Sequence, residues 1–328
     1  MHFEYSFVIR TLGTAGEKYQ ALLDSIKELT IKPCEVIVVL PEGYAPPKER
    51  LGGERFVFTP KGMIAQRALC LNEIKTKYAL FSDDDWRFEP HLVDKLAKPI
   101  QEGRADVTFP VFPDLLPQGF MTRLVMASIG SAVPMLFPKN RFTRILSSGS
   151  YAYNPYINNL TKGEFVAESA PGLCFFVKVK DFKDLHFEDE MWVQDTGYAF
   201  PDDQVMFYKW YLRGKRIIGI AGVDFEHLDA GGNSPGRAVK ACYAMARNKQ
   251  IFWHRFIYLR QPTKWLRRKV IYSKKWCELK SEIFNNIQFL LGKSPEELRQ
   301  AAKNGRRDGE LLINSDTYRQ LPSIYRKD

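Results

Sequence analysis

Tyr78-Ala-Leu-Phe-Ser-Asp-Asp-Asp85 runs from an apolar segment straight into three carboxylates. Its first five residues have the character of a buried strand, and the strand has to end where the charges begin. Working outward, the same character recurs at Tyr5–Arg10, Glu35–Leu40, Arg55–Thr59 and Ala105–Val111. Between these runs the period changes to that of a helix. Glu17–Leu29 carries Tyr19, Leu22, Leu23, Ile26 and Leu29 on one side, Gly62–Ile74 carries Ile64, Ala68, Leu71 and Ile74, and Pro90–Ile100 follows the acidic triplet. Strands alternating with helices predict an α/β fold, a mostly parallel sheet flanked by helices. Ligands of such sheets bind beyond the carboxyl ends of the strands. Thr11, Glu42 and the three aspartates all fall at such ends.

Beyond Val111 the pattern loosens. Residues 112–170 are rich in Pro, Gly, Ser and Asn and are expected to be loops with short helices, an insert facing substrate or partner. Gly172–Val179 and Arg216–Ala221 are expected strands, and Asp202–Leu212 is a helix. Arg237–Leu259 reads as one long amphipathic helix, and Pro262 opens a further basic helical stretch. Ser294-Pro-Glu-Glu297 has the capping-box pattern of a last helix, with an irregular tail after Gly309. The organisation expected is a nucleotide-binding catalytic domain over 1–235 and a basic helical extension over 236–328.

Asp83, Asp84 and Asp85 admit two readings. A solvated turn is one, since Asp is common in turns. The other is a metal–diphosphate site, because hard cations such as Mg²⁺ take carboxylate oxygens and share their coordination with phosphates. A second pair, Asp202-Asp203, stands at a helix start where Asp caps and favours the dipole. His227 follows an apolar segment of its own. An aspartate cluster, an aspartate pair and a histidine, each at the end of a separate element, together favour the metal–diphosphate reading.

In that order, the segments Phe7-Val-Ile-Arg-Thr11, Val36-Ile-Val-Val-Leu-Pro-Glu42, Lys61-Gly-Met-Ile-Ala-Gln-Arg67, Ala79–Asp85, Phe200-Pro-Asp-Asp-Gln204, Leu212-Arg-Gly214 and Phe225-Glu-His227 resemble the GT-A glycosyltransferases, in particular family 2. The resemblance covers roughly residues 5–230. It implies a GT-A, Rossmann-like fold and transfer of a sugar from a nucleoside-diphosphate sugar, UDP-linked by preference, to a hydroxyl of a glycan or lipid-linked acceptor. It also implies that Arg10, Thr11, Glu42, Arg67, Asp83 and Asp84 hold the nucleotide and its diphosphate. Asp85, with His227, would hold Mg²⁺ or Mn²⁺. Asp203 would be the general base of an inverting reaction, oriented by Asp202. Two positions depart from the family pattern: Glu42 replaces the usual Asp, and Ala68 stands where Asn often follows the Arg.

Composition narrows the rest. The 328 residues are 45% hydrophobic and 26% charged, so a normal core is available and global disorder is excluded. The five cysteines are widely separated, which argues against a disulfide scaffold or structural zinc and for a reducing compartment. No secretory signal or membrane-spanning run is visible. The protein is expected in the cytoplasm, with peripheral contact at the inner membrane face open. Net charge is +10, and the segment Arg247–Lys280 alone holds eleven Lys/Arg against Glu278, the whole excess. Phe252, Trp253, Phe256, Trp265, Tyr272 and Trp276 are interleaved with these cations. An anionic membrane surface contacted through 247–280 and an ordinary helix pair with a solvated charged face both fit, with nucleic acid third. The competing functions are a non-catalytic adaptor acting through this segment and a Mg-dependent nucleotidyltransferase. The chain has no G-x-x-x-x-G-K-[ST] phosphate loop.

Overall fold

The computed structural model describes residues 3–111, 121, 140–154, 162–228, 235–292 and 295–326. The first half alternates as expected: β1 (Tyr5–Arg10), α1 (Glu17–Glu28), β2 (Glu35–Pro41), β3 (Arg55–Thr59), α2 (Met63–Ala68), β4 (Tyr78–Ser82), β5 (Trp86–Phe88), α3 (Leu92–Gln101) and β6 (Val107–Pro110). Then come β7 (Thr143–Ile145), β8 (Tyr151–Tyr153), β9 (Gly163–Ala167), β10 (Cys174–Lys178), α4 (Val179–Lys183), α5 (Asp202–Leu212), β11 (Ile217–Ala221) and β12 (Phe225–His227). Four helices follow: α6 (Pro235–Phe252), α7 (Lys264–Leu290), α8 (Glu296–Ile313) and α9 (Asp316–Arg319).

Eight strands form one sheet in the order β3-β2-β1-β4-β10-β6-β11-β9. The β1–β2, β1–β4, β2–β3 and β6–β11 pairs are parallel, while β10 runs antiparallel to both its neighbours and β9 is antiparallel to β11. Side chains alternate across it with the strand period of two. Phe7, Ile9, Val36 and Val38 pack with α1 and α3 on one face. Val8, Ile37 and Val39 pack with α2 on the other. Both faces are covered, as near-continuous apolar strands require.

Two expectations are corrected. The described part of the 112–170 stretch, expected as loops with short helices, also forms the β7–β8 hairpin and the edge strand β9. Strands of three to five residues are too short to stand out in a polar background. The apolar run Leu124–Phe137, Tyr156 and Ser294 lie outside the described residues. The tail after Gly309 is also not irregular: α8 continues to Ile313 and α9 follows. Gly305 and Gly309 are contact points inside α8. A Cβ on either would lie 2.4 Å from the Tyr243 carbonyl oxygen or 2.6 Å from that of Arg247, so the pair lets α8 rest directly on the backbone of α6.

The basic aromatic segment divides in two. Phe252, Trp253 and Phe256, on α6 and the π-helical turn Trp253–Tyr258 that continues it, are buried in the same cluster as the sheet. Arg247 and Arg255 are buried and partnered as well. The expected contact surface over 247–280 is therefore cut back to α7, where Trp265, Tyr272 and Trp276 are exposed.

The join between helices and sheet is electrostatic as well as apolar. Glu190, fully buried on the turn Phe187–Val193, accepts from Lys209 of α5 at 2.8 Å and from Arg255 at 2.9 and 3.0 Å. Burial works against its charged form, but the two cations outweigh burial and hold it below the usual carboxylate range. Removing one partner of such a cluster leaves uncompensated charge in the interior. Glu190→Ala is expected to destabilise the protein by about 3–5 kcal/mol in urea denaturation, since Lys209 and Arg255 both lose the buried carboxylate that they share.

Candidate active site

The site is assembled where β1, β4 and α5 meet. β1 ends at Arg10, whose Nε and Nη2 donate to Asp83 Oδ1 at 3.1 and 2.6 Å. Its Nη1 is buried without a hydrogen-bond partner among the described residues. The Thr11 hydroxyl donates to Asp84 and accepts from the Gly13 amide at 2.8 Å. Asp84 is pushed up to about 6, by burial first. The Thr11 hydrogen bond opposes that rise, and the charges of Asp83 and Asp85 add to it. Asp83 is tied down through its amide, which donates to the Leu173 carbonyl at 2.9 Å.

Asp85 meets His227 through a short ribbon. β5 leaves directly from the acidic triplet and pairs antiparallel with β12, setting His227 opposite Trp86. The Leu228 amide donates to the Asp85 carbonyl at 2.7 Å. His227 Nε2 then stands 3.4 Å from Asp85 Oδ2. One carboxylate oxygen and one imidazole nitrogen at a strand-end rim suit a divalent ion that takes its remaining ligands from phosphate and water. Among the described residues no three His, Cys, Asp or Glu side chains converge into a closed cage. The donor set therefore fits a shared metal better than a structural one.

Arg67 joins the two acidic clusters. It is 3% exposed, at the end of α2, whose first amides are capped from afar by Gln194 Oε1, 3.0 Å from Ile64 N and 3.2 Å from Ala65 N. Its guanidinium donates to Asp202 and, at 2.8 Å, to the Gly172 carbonyl, and lies 3.5 Å from Asp83. Gly172 has no room for a side chain: a Cβ there would sit 2.9 Å from Arg67 Nη2 and 3.1 Å from Asp203 Cβ. Asp202 thus serves Arg67 and does not cap α5, which has no side-chain cap. Asp203 Oδ1 accepts from the Gln204 amide at 2.7 Å. Its carboxyl is pushed up to about 7, by burial and then by the charge of Asp202, with Arg67 pulling the other way. Tyr151 and Tyr153, rings 5.2 Å apart, stand on the β8 side of Asp203.

Of the residues expected from sequence, Arg10, Thr11, Arg67, Asp83, Asp84, Asp85, Asp202, Asp203 and His227 lie in this constellation. Glu42 stands at the end of β2 on the same sheet rim, exposed, its amide donating to the Thr59 carbonyl at 2.8 Å. Three contributors were not anticipated: Gly172, Gln194 and Gln66. The Gln66 amide nitrogen donates to the Thr11 and Val39 carbonyls, each at 3.0 Å, and fixes the end of β1. Only Gln66, next to Arg67 in the quoted segment, carried a signal that could have found it.

No family model and no curated protein matches the chain. Among solved structures it is similar to GalNAc-T7 with UDP, GalNAc and Mn²⁺, at TM-score 0.49 and 14% identity over 85% of this chain and 55% of that one. It is also similar to glucosyl-3-phosphoglycerate synthase from Mycobacterium tuberculosis in complex with Mn²⁺, UDP and phosphoglyceric acid, at TM-score 0.44 and 13% identity over 74% and 76% of the two chains. S. aureus TarS 1-349 gives TM-score 0.43 and 12% identity over 97% of this chain and 91% of that one. The chain thus spans about half the length of the first of these structures.

The raised Asp203 carboxyl fixes a pH dependence. Its value in the fold lies above the ordinary 3.8, so it stabilises the fold when protonated, and that contribution is lost as pH rises through about 7. Carboxyl NMR of the free protein should show one aspartate titrating near 7. Arg67→Met should move that midpoint up, because the guanidinium pulls it down. Asp203→Asn should remove both the titration and its share of the stability slope.

Proposed function

We propose that the protein is a metal-dependent glycosyltransferase that moves a sugar from a nucleoside-diphosphate sugar, UDP-linked by preference, to a hydroxyl of a glycan or lipid-linked acceptor. The observation that carries this reading is Arg67, which touches Asp83 on one side and Asp202 on the other. It makes the β4 rim and the start of α5 a single site, with a place for diphosphate and a carboxylate base side by side.

Asp85 and His227 would hold Mg²⁺ or Mn²⁺, which supplies positive charge opposite the leaving diphosphate. Arg10, through its unpartnered Nη1, donates to the nucleotide or its phosphates, and Thr11, Asp83 and Asp84 complete that side. Asp203 takes the proton from the acceptor hydroxyl, and a carboxyl near 7 is matched to that work at neutral pH. Asp202 keeps Arg67, and through it Asp203, in place. A base that activates the acceptor on the face opposite the leaving group inverts the anomeric centre. Tyr151 and Tyr153 offer flat surfaces to the acceptor sugar.

Asp203→Asn is expected to lower kcat by a factor of about 10²–10⁴ while leaving the thermal shift produced by UDP with Mn²⁺ intact. Asp85→Ala should abolish the metal-dependent part of that shift, which at 100-fold excess over Kd amounts to about 2.7 kcal/mol. The acid limb of kcat/KM should lie near 7 in the wild type. The product should be nucleoside diphosphate. Full transfer by Asp203→Asn, or release of pyrophosphate, would refute the assignment.

A further inference from the structure

We propose that α7 is an interfacial helix that docks the protein on an anionic phospholipid bilayer. At 3.6 residues per turn, Trp265, Tyr272, Trp276, Leu279, Ile283 and Ile287 fall within roughly 80° of arc on one side of α7. All six are between 48% and 72% exposed. Leu290, 82% exposed, continues the line, which runs for about 38 Å along the helix. The opposite side docks the helix on the protein. Val270 and Cys277 are buried, the Ser273 hydroxyl bonds that of Ser147 at 2.7 Å, and Cys277 Sγ lies 3.4 Å from the Ser150 hydroxyl. The apolar stripe therefore faces outward by construction, with the inner side already committed to the β7–β8 turn.

Charge selects the occupant. Arg268 and Lys275 border the stripe on one side and Lys269 and Lys280 on the other. Lys269 lies 5.7 Å over the Trp265 ring and Lys280 5.6 Å over that of Trp276. Two carboxylates stand on α7: Glu278 is turned inward and accepts from Gln250 at 3.0 Å, and exposed Glu282 lies beyond Lys275, leaving the borders net cationic. A second copy of α7 laid on this stripe would set cations against cations, where helix pairs need alternating charge. A layer of anionic headgroups over acyl chains meets both the cationic borders and the aromatic and aliphatic centre. No helix among the described residues is long and apolar enough to cross a membrane, so the contact is one of lying on the surface. The inference stands independently of the activity proposed above.

The test is co-sedimentation of the full chain with vesicles of phosphatidylcholine alone and of phosphatidylcholine mixed with phosphatidylglycerol. Binding to the anionic vesicles should be at least about tenfold tighter and should weaken with added salt. The double variant Trp276→Glu, Ile283→Glu should lose at least about tenfold in vesicle binding. Both positions are exposed, so its circular dichroism and thermal midpoint should match the wild type. If the double variant does not fold, Lys269→Glu with Lys275→Glu serves the same purpose from the borders of the stripe. No binding by the folded wild type, or equal binding by the folded variants, would overturn the proposal. So would a dimer in light scattering that the same substitutions dissolve, or binding to single-stranded oligonucleotide without binding to vesicles.

Discussion

The guanidinium of Arg67 is the contact on which the site depends. Asp83, Asp202 and Asp203 come from different elements, β4's end and α5's start, and their charges drive those elements apart. A buried cation between them reverses the sign of that interaction. Arg suits the position because its planar group can reach a carboxylate on each side and a backbone carbonyl at once. The arrangement holds only because Gly172 leaves the space, since a methyl group there would contact both Arg67 and Asp203.

The same device recurs 65 residues before Arg255, where Glu190 faces Lys209 and Arg255 with the signs exchanged. There one acid gathers two cations from α5 and the π-helical turn. Helix α5 is thus pinned by ion pairs near both ends, Asp202 to Arg67 and Lys209 to Glu190. Buried pairs add little stability over apolar packing but penalise any misplacement strongly. The effect is to hold Asp203, next in sequence to Asp202, at a fixed distance from the β4 rim. His227 is positioned more cheaply, by a three-residue ribbon anchored on buried Trp86.

Much of this was legible in the sequence because the signals were strong and local. Apolar runs gave β1, β2, β3 and β4 with their helices, and the polar residues at element ends, Asp83, Asp85, Asp203 and His227, were legible as one set. The misses share a cause. β5, β7 and β8 are three-residue strands defined by their partners, with too few residues to show a period. Gly309 looks like the end of the last helix until α6 is seen lying against it. Asp202 looks like a helix cap until Arg67, 135 residues away, is seen beside it. In each case the residue answers to a distant neighbour, and its local sequence carries the commoner meaning.

The aromatic segment makes the same point about surfaces. Trp253 and Trp276 sit in stretches of nearly the same composition, basic and aromatic, yet one is buried and the other 58% exposed. What separates them is register. On α6 and the turn after it, Phe252, Trp253 and Phe256 lie on the side that meets the sheet cluster, and their cations are drawn in to Glu190 and to the carbonyl of Trp192. On α7 the side facing the protein is taken by Val270, Ser273 and Cys277, small enough for close contact with the Ser147–Ser150 turn, so the large aromatics are turned outward. A helix with small residues inside and large apolar ones outside is inverted relative to an ordinary surface helix. Its outer side leaves Trp265, Tyr272, Trp276, Leu279 and Ile283 exposed, apolar area whose burial is still to be gained.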